Sequence, residues 1–152
     1  MSARDAPPSP ALVQVRRRIP AVQEEAFRAW TDPGMVTQWF RPRGGSSPSA
    51  EMDVRVGGRY RWAMKLLGHV YYAVGEYLEV DPPNRLVFTF GWERALVRLT
   101  DSVVTVDFER HDDGTDVVIT HERLGTRTLR AMHATGWRNC LRYQRHVLGG
   151  TS

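Results

Sequence analysis

Three side chains have the residue types that general acid–base catalysis needs. His121, His133 and Glu76 each fall at a position that the local apolar pattern turns toward the interior. Buried among aromatic residues, such groups titrate near neutral pH and could enolise or dehydrate a substrate. Each could equally serve only to hydrogen-bond a neighbour, and a bulge near Gly75 would turn Glu76 out to water. Catalysis by these residues is therefore one hypothesis, and a purely structural role is the other.

Other chemistries lack their characteristic residues. Cys140, the only cysteine, lies on the apolar face of a predicted helix, and no Gly-x-Ser-x-Gly motif occurs, so we expect no nucleophilic catalysis. The five histidines show neither His-x-His nor His-Glu-x-x-His spacing, and we expect no metal. Without Gly-x-Gly-x-x-Gly or a Walker lysine, we also expect no cofactor.

Arg17 is a candidate for contacting a polar group of a ligand. It shares a predicted strand face with Val13, Val15 and Ile19. Its planar guanidinium suits a carboxylate or a ketone. The alternatives are an ion pair with a carboxylate such as Glu122, or a side chain that extends to the rim of the sheet.

The elements that must position these residues are strands and one long helix. Apolar alternation predicts a strand at 12–19, and helical spacing predicts two short helices at 21–30 and 34–40. Six further strands, separated by turn signals, are predicted within 51–122. A single amphipathic helix is then predicted at 126–148. This order indicates an antiparallel sheet that curls around the last helix.

Length and composition place the chain among small globular proteins. Of its 152 residues, 41% are hydrophobic, which predicts one domain at 11–150 after a proline-rich, disordered tail at 1–10. No run of about 18 apolar residues occurs, so we expect no membrane insertion. The N-terminus lacks the apolar core of a secretory signal, which favours a cytoplasmic location.

The net charge of +4 is unevenly distributed. Residues 123–152 contain six arginines and no acidic residue, whereas 62–122 contain five bases and eleven acids. The basic face of the last helix suits docking against the rim of its own sheet or against a second subunit, so a homodimer is possible. No helix-turn-helix is present and no aromatic residues alternate with these arginines, so we expect no nucleic-acid binding.

A curved sheet diverges from a straight helix and can leave a cavity between them. The inward strand positions carry large side chains, and the helix offers the small residues Gly136 and Cys140. The predicted ligand-contacting residues are Tyr60, Trp62, Met64, Tyr72, Phe88, Phe90, Trp92, Met132, His133, Gly136, Cys140 and Arg17. The alternative is that the aromatic rings fill this space themselves. Trp39, Phe40 and the loop at 41–49 could form either the mouth of the cavity or a plug.

Four segments resemble the START-like (SRPBCC) superfamily, and within it the branch homologous to activators of the heat-shock chaperone ATPase. They are VQEEAFRAWTDPGMVTQW at 22–39, DVRVGGRYRW at 53–62, GEYLEVDPPNRLVFTF at 75–90 and ATGWRNCLRYQ at 134–144. The resemblance implies an α+β helix-grip fold, as in the birch pollen allergen. In that fold a curved antiparallel sheet of six or seven strands surrounds a long C-terminal helix, two short helices follow the first strand, and a hydrophobic pocket lies between sheet and helix.

The function that this reading favours is non-catalytic binding of a small hydrophobic or aromatic molecule. The resemblance implies lipid-like or polyketide-like ligands. It also leaves two alternatives: a pocket enzyme of the cyclase or dehydratase type, and a co-chaperone-like module that binds protein. Because members of one fold differ widely in activity, the fold does not choose among them.

Overall fold

A computed structural model describes residues 12–93, 99 and 101–149. Its elements, in chain order, are β1 (Val13–Ile19), α1 (Gln23–Thr31), α2 (Pro33–Trp39), β2 (Ala50–Met52), β3 (Arg59–Leu66), β4 (His69–Asp81), β5 (Arg85–Glu93), β6 (Ser102–His111), β7 (Gly114–Glu122) and α3 (Arg127–Val147). The tail predicted at 1–10 lies outside the described residues.

The seven strands form one antiparallel sheet in the order β1-β7-β6-β5-β4-β3-β2. β1 and β2 lie at opposite edges, because the chain crosses between them through α1 and α2. Helix α3 packs against β1, β7 and α2. The predicted fold class, an antiparallel α+β sheet around a long C-terminal helix with two short helices after the first strand, is confirmed.

Side-chain caps begin two of the helices. The carboxylate of Asp32 accepts hydrogen bonds from the backbone N–H groups of Gly34 at 2.8 Å and Met35 at 3.4 Å, and a proline occupies the first turn of α2. The Thr126 hydroxyl accepts from the Leu129 N–H at 3.1 Å and begins α3. These local signals set where the helices start and which faces they turn inward.

Strand β2 is shorter than the alternation of Met52, Val54 and Val56 predicts. It ends at Met52, and the chain then forms a loop that pairs with β4 instead of continuing along β3. The Gly57 N–H donates to the Tyr77 carbonyl at 2.9 Å, and the Tyr77 N–H donates to Gly58 at 2.9 Å. The loop thereby leaves the Val56 side chain 64% exposed.

Strand β4 turns the opposite set of side chains inward from the one predicted. Its register pairs Tyr71 with Met64 and Ala73 with Trp62, so the odd-numbered residues of this part of the strand face α3. A bulge between residues 77 and 79 shifts the alternation farther along the strand. Tyr72 therefore lies on the outer face of the sheet.

Candidate functional site

One half of the space between the sheet and the helices is filled by aromatic rings. Six fully or almost fully buried side chains form this aromatic core: Trp30, Trp39, Tyr60, Trp62, Tyr77 and Phe88. The ring centroids are 4.4 Å apart for Trp30 and Trp39, and 4.5 Å apart for Tyr60 and Trp62. The prediction that Tyr60, Trp62 and Phe88 line the cavity is wrong, because the tryptophans of α1 and α2 pack against Trp62 and Phe88, and Tyr60 packs against these two rings in turn.

The other half contains a cavity of about 460 Å³. Its walls come from β3, β4, β5, α3 and the segment after α2, and consist of Phe40, Pro42, Met64, Leu66, Tyr71, Phe90, Trp92, Met132, His133, Thr135, Gly136, Trp137, Asn139 and Cys140. Seven of the predicted ligand-contacting residues are in this set: Met64, Phe90, Trp92, Met132, His133, Gly136 and Cys140. A volume of this size suits a small-molecule ligand.

Gly136 accounts for much of the open space on the helix side. A Cβ atom built at this position has no heavy atom within 4 Å, apart from its own stretch of helix. Met132 and Cys140 lie one turn before and after it, on the same helical face. The expectation that a small residue leaves room here agrees with this geometry.

The cavity opens where its lining side chains reach solvent. Met132 is 45% exposed and Tyr71 is 37% exposed. Thr135 is also exposed, whereas Phe90 and Cys140 at the inner end are buried. The mouth therefore lies between the β3–β4 hairpin and the first half of α3.

The last residue of α2 and the residues that follow it serve as plug and wall. Trp39 is a plug: it is fully buried, and its Nε1–H donates to the Ala29 carbonyl at 2.7 Å. Phe40 and Pro42 instead line the cavity. The plug alternative thus holds for Trp39, while Phe40, which is buried, and Pro42 belong to the wall of the cavity and not to its mouth.

Tyr72 and Glu76 do not reach the cavity. The Tyr72 ring lies under the guanidinium of Arg61, whose carbon is 3.6 Å from the ring centroid. Glu76 lines a separate groove of about 710 Å³ on the outer face of the sheet. Both predictions are wrong for the same reason: the register of β4 places its even-numbered residues outside.

Arg17 also lies away from the cavity. It borders a small groove of about 270 Å³ between β1 and α3, together with Arg138 and Leu141. The register of β1 puts Arg17 opposite Val117, near the middle of β7, whereas Glu122 is the last residue of that strand. The predicted ligand contact is therefore wrong, and the alternative pairing with Glu122 does not form.

Several lining residues were missed by the sequence analysis. Leu66 and Trp137 had detectable signals, since Leu66 continues the alternation of β3 and Trp137 follows His133 by one helical turn. Tyr71 could be placed in the wall only once the register of β4 was known, and Asn139 only once the rotation of α3 about its own axis was known. The last two therefore depend on packing rather than on local pattern.

The ring of His133 forms part of the cavity wall and is held by two hydrogen bonds. Its Nδ1 lies 2.7 Å from the Leu129 carbonyl, which can only accept, so Nδ1 carries the proton. Its Nε2 accepts from the Nε1–H of Trp92 at 3.1 Å. Burial lowers the pKa of His133, which favours this neutral tautomer.

His121 is similarly held behind the wall. Its Nδ1 accepts from the Nε1–H of Trp137 at 3.0 Å, so its Nε2 carries the proton and faces the Ser102 hydroxyl at 3.0 Å. Burial, with a smaller contribution from the charge of His133, lowers the pKa of His121 to about 3. Because an indole N–H already occupies the lone pair of each histidine, neither is poised as a general base.

The remaining candidate nucleophile is inert in this environment. Burial raises the pKa of the Cys140 thiol to about 12, so the reactive thiolate is scarce near neutral pH. The part of the chain that the structure describes contains no cluster of three or more potential metal-ligating side chains. No described helix has an apolar stretch long enough to cross a membrane.

A seven-stranded antiparallel sheet that holds one long helix, with an apolar cavity between them, defines the helix-grip class of proteins. The family model for "Activator of Hsp90 ATPase homolog 1-like protein" matches residues 20–148, and the chain belongs to this family. No curated protein matches the sequence.

Solved structures show the same fold. A protein from Rhizobium leguminosarum is 25% identical, with a TM-score of 0.78 over 91% of this chain and 93% of the other. One from Chromobacterium violaceum is 23% identical, with a TM-score of 0.77 over 91% and 97%. An AHSA1-like protein from Aeromonas hydrophila, solved by NMR, is 25% identical, with a TM-score of 0.75 over 90% and 91%.

Proposed function

We propose that this protein binds a small, uncharged, hydrophobic or aromatic molecule, of lipid-like or polyketide-like character, in the cavity between the sheet and α3. The observation that carries the proposal is the open space at Gly136, where an added Cβ would meet nothing within 4 Å. Packed protein interiors rarely leave such space without a use. The binding energy would come from burial of apolar ligand surface, about 25 cal/mol per Å².

The chemistry of the walls supports an uncharged ligand. Among the residues that the structure describes, no aspartate, glutamate, lysine or arginine lines the cavity. The one titratable imidazole, His133, already donates through Nδ1 and accepts through Nε2. A carboxylate buried here would find no opposite charge among the described lining residues, at a penalty of several kcal/mol. The same hydrogen bonds support binding without turnover, because they leave no free lone pair on His133 to act as a base.

Asn139 is the group best placed to orient the ligand. Its side chain is half-buried in the cavity wall and makes no side-chain hydrogen bond to any described residue. A primary amide can both donate and accept, so it matches a ligand hydroxyl, ketone or amide. Tyr71 and Thr135 stand nearer the mouth and would contact the ligand's outer end.

The test uses two fluorescent probes that share an arylaminonaphthalene core and differ in charge. N-phenylnaphthylamine is neutral, and anilinonaphthalene sulfonate is an anion. We expect the neutral probe to bind at least about tenfold more tightly, since only the anion must be buried without a partner. Gly136→Trp fills the cavity, and we expect it to abolish binding of the neutral probe.

Ala131→Trp is the matched control, because Ala131 is exposed on the same helix and does not line the cavity. It should retain probe binding. Circular dichroism and thermal unfolding establish that both variants fold. Unchanged affinity for the neutral probe in a folded Gly136→Trp variant would contradict the proposal, as would equal affinity for the two probes at a site that Gly136→Trp blocks.

A further inference from the structure

Exposed apolar side chains concentrate at the tip of the β3–β4 hairpin and at the mouth of the cavity beside it. Seven large hydrophobic residues are exposed in the described part of the chain: Val22, Val56, Leu67, Val70, Tyr71, Leu78 and Met132. Three of them lie at the tip of the β3–β4 hairpin, with Tyr71 on its cavity face and Val70 on its outer face, and Met132 faces that hairpin across the opening. We call Leu67, Val70, Tyr71 and Met132 the apolar rim. Clustered exposed apolar residues mark interaction surfaces.

Leu67 is the most anomalous member of the apolar rim. It occupies the first central position of a two-residue turn with Gly68, and both residues have positive φ values, 51° and 81°. Such a turn favours asparagine at this position, because a bulky side chain is strained there. Leu67 is also 89% exposed, so no burial compensates for the strain. The turn therefore presents an apolar tip to solvent against local preference.

The segments that form the mouth are basic. Residues 40–49, 63–75 and 126–135 together contain four arginines and one lysine, and no aspartate or glutamate. The nearby carboxylate of Glu93 is paired with Arg61, 3.0 Å away on the outer face. An apolar tip surrounded by cations is complementary to a bilayer that has anionic headgroups above its acyl chains.

We propose that the mouth of the cavity docks on the surface of an anionic lipid bilayer. The apolar rim enters the boundary between headgroups and acyl chains, and cations such as Arg43, Lys65 and Arg130 contact the headgroups. An apolar ligand, as in the proposed function, would then pass between bilayer and cavity without crossing water. A second copy of the chain suits this surface less well, since a two-fold contact would bring basic segments together.

The test is co-sedimentation of the full chain with vesicles. We expect binding to phosphatidylcholine vesicles that contain phosphatidylglycerol, and much weaker binding to pure phosphatidylcholine. The double variant Leu67→Asp/Val70→Asp should bind the anionic vesicles about tenfold more weakly. The matched control is Val22→Asp/Val56→Asp, which makes the same change in charge at residues that are 60% and 64% exposed elsewhere.

Leu67→Asn provides a variant with no risk to folding. Asparagine suits the turn, so this variant should unfold at higher urea concentration while binding vesicles more weakly than the wild type. Gly136→Trp separates this proposal from the preceding one, because it should lose probe binding and keep vesicle binding. The docking proposal is overturned if anionic vesicles do not bind, or if both double variants weaken binding equally. A dimer that Leu67→Asp/Val70→Asp dissociates, without vesicle binding, would assign the surface to a second copy.

Discussion

The aromatic core and the cavity are built from the same two strands, yet one is filled and the other is open. β3 places Trp62 in the aromatic core and Met64 in the cavity wall, and β5 divides Phe88 and Phe90 in the same way. The strands therefore do not make the difference. It comes from the facing helices, since α1 and α2 insert tryptophans on one side, whereas α3 offers Gly136 on the other.

This difference separates stability from binding. In the aromatic core each ring contacts several others, so the core supports the fold. In the cavity one side of each lining residue lacks a protein neighbour, and those contacts are left for a ligand. Changes in the two regions should consequently differ in size and even in sign.

The largest expected effect compares Phe88→Ala with Phe90→Ala, the same change at neighbouring inward positions of β5. Phe88 is fully buried among aromatic rings, and its loss should lower the free energy of unfolding by about 3 to 5 kcal/mol. Phe90 borders existing space, so Phe90→Ala should lower the free energy of unfolding by less than Phe88→Ala does, with a difference of about 1 kcal/mol or more. Urea unfolding measures both. Equal losses would mean that the two regions do not differ in packing.

Next in size is the addition of one methyl group to each region. Gly75→Ala would drive its Cβ into the Thr89 carbonyl and to 2.7 Å from the Tyr60 ring, so it should destabilise the protein by about 3 kcal/mol. Gly136→Ala meets open space and gains helix propensity, so it should stabilise the protein by up to about 1 kcal/mol. Thermal unfolding distinguishes these opposite signs, and destabilisation by Gly136→Ala would contradict the open space.

A smaller effect tests the border between the two regions, where His121 lies. Its pKa falls from 6.5 to about 3 on folding, so unfolded chains bind the proton more readily. Stability should be constant above about pH 6.5 and fall as the pH drops below it, with a loss of about 2 kcal/mol from His121 at pH 5. Urea unfolding over this range provides the measurement.

Two substitutions check the origin of this pH dependence. His121→Asn should reduce it and leave the part that comes from His133, whose pKa burial also lowers, whereas His69→Gln, a change at an exposed histidine, should preserve it in full. A wild-type protein with the same stability at pH 5 and pH 7 would contradict the buried neutral tautomer.

Much of the fold could be predicted from local pattern. The Asp32-Pro33 turn, the inward histidines and the apolar face of α3 all appear in the sequence at the places where the structure has them. Strand β4 could not be read in this way. Both Tyr72 with Val74 and Tyr71 with Ala73 form apolar sets at alternate positions, so alternation alone does not decide which set faces inward.

The sequence by itself determined the family, the order of elements and the small residue at position 136, because caps, turns and alternation are local properties of the chain. Only the tertiary structure decided which aromatic residues fill the core and which line a cavity. That decision depends on where the tryptophans of α1 and α2 meet a sheet that is distant in sequence. Trp62 and Phe88 contact those rings, whereas Met64 and Phe90 face the open space at Gly136.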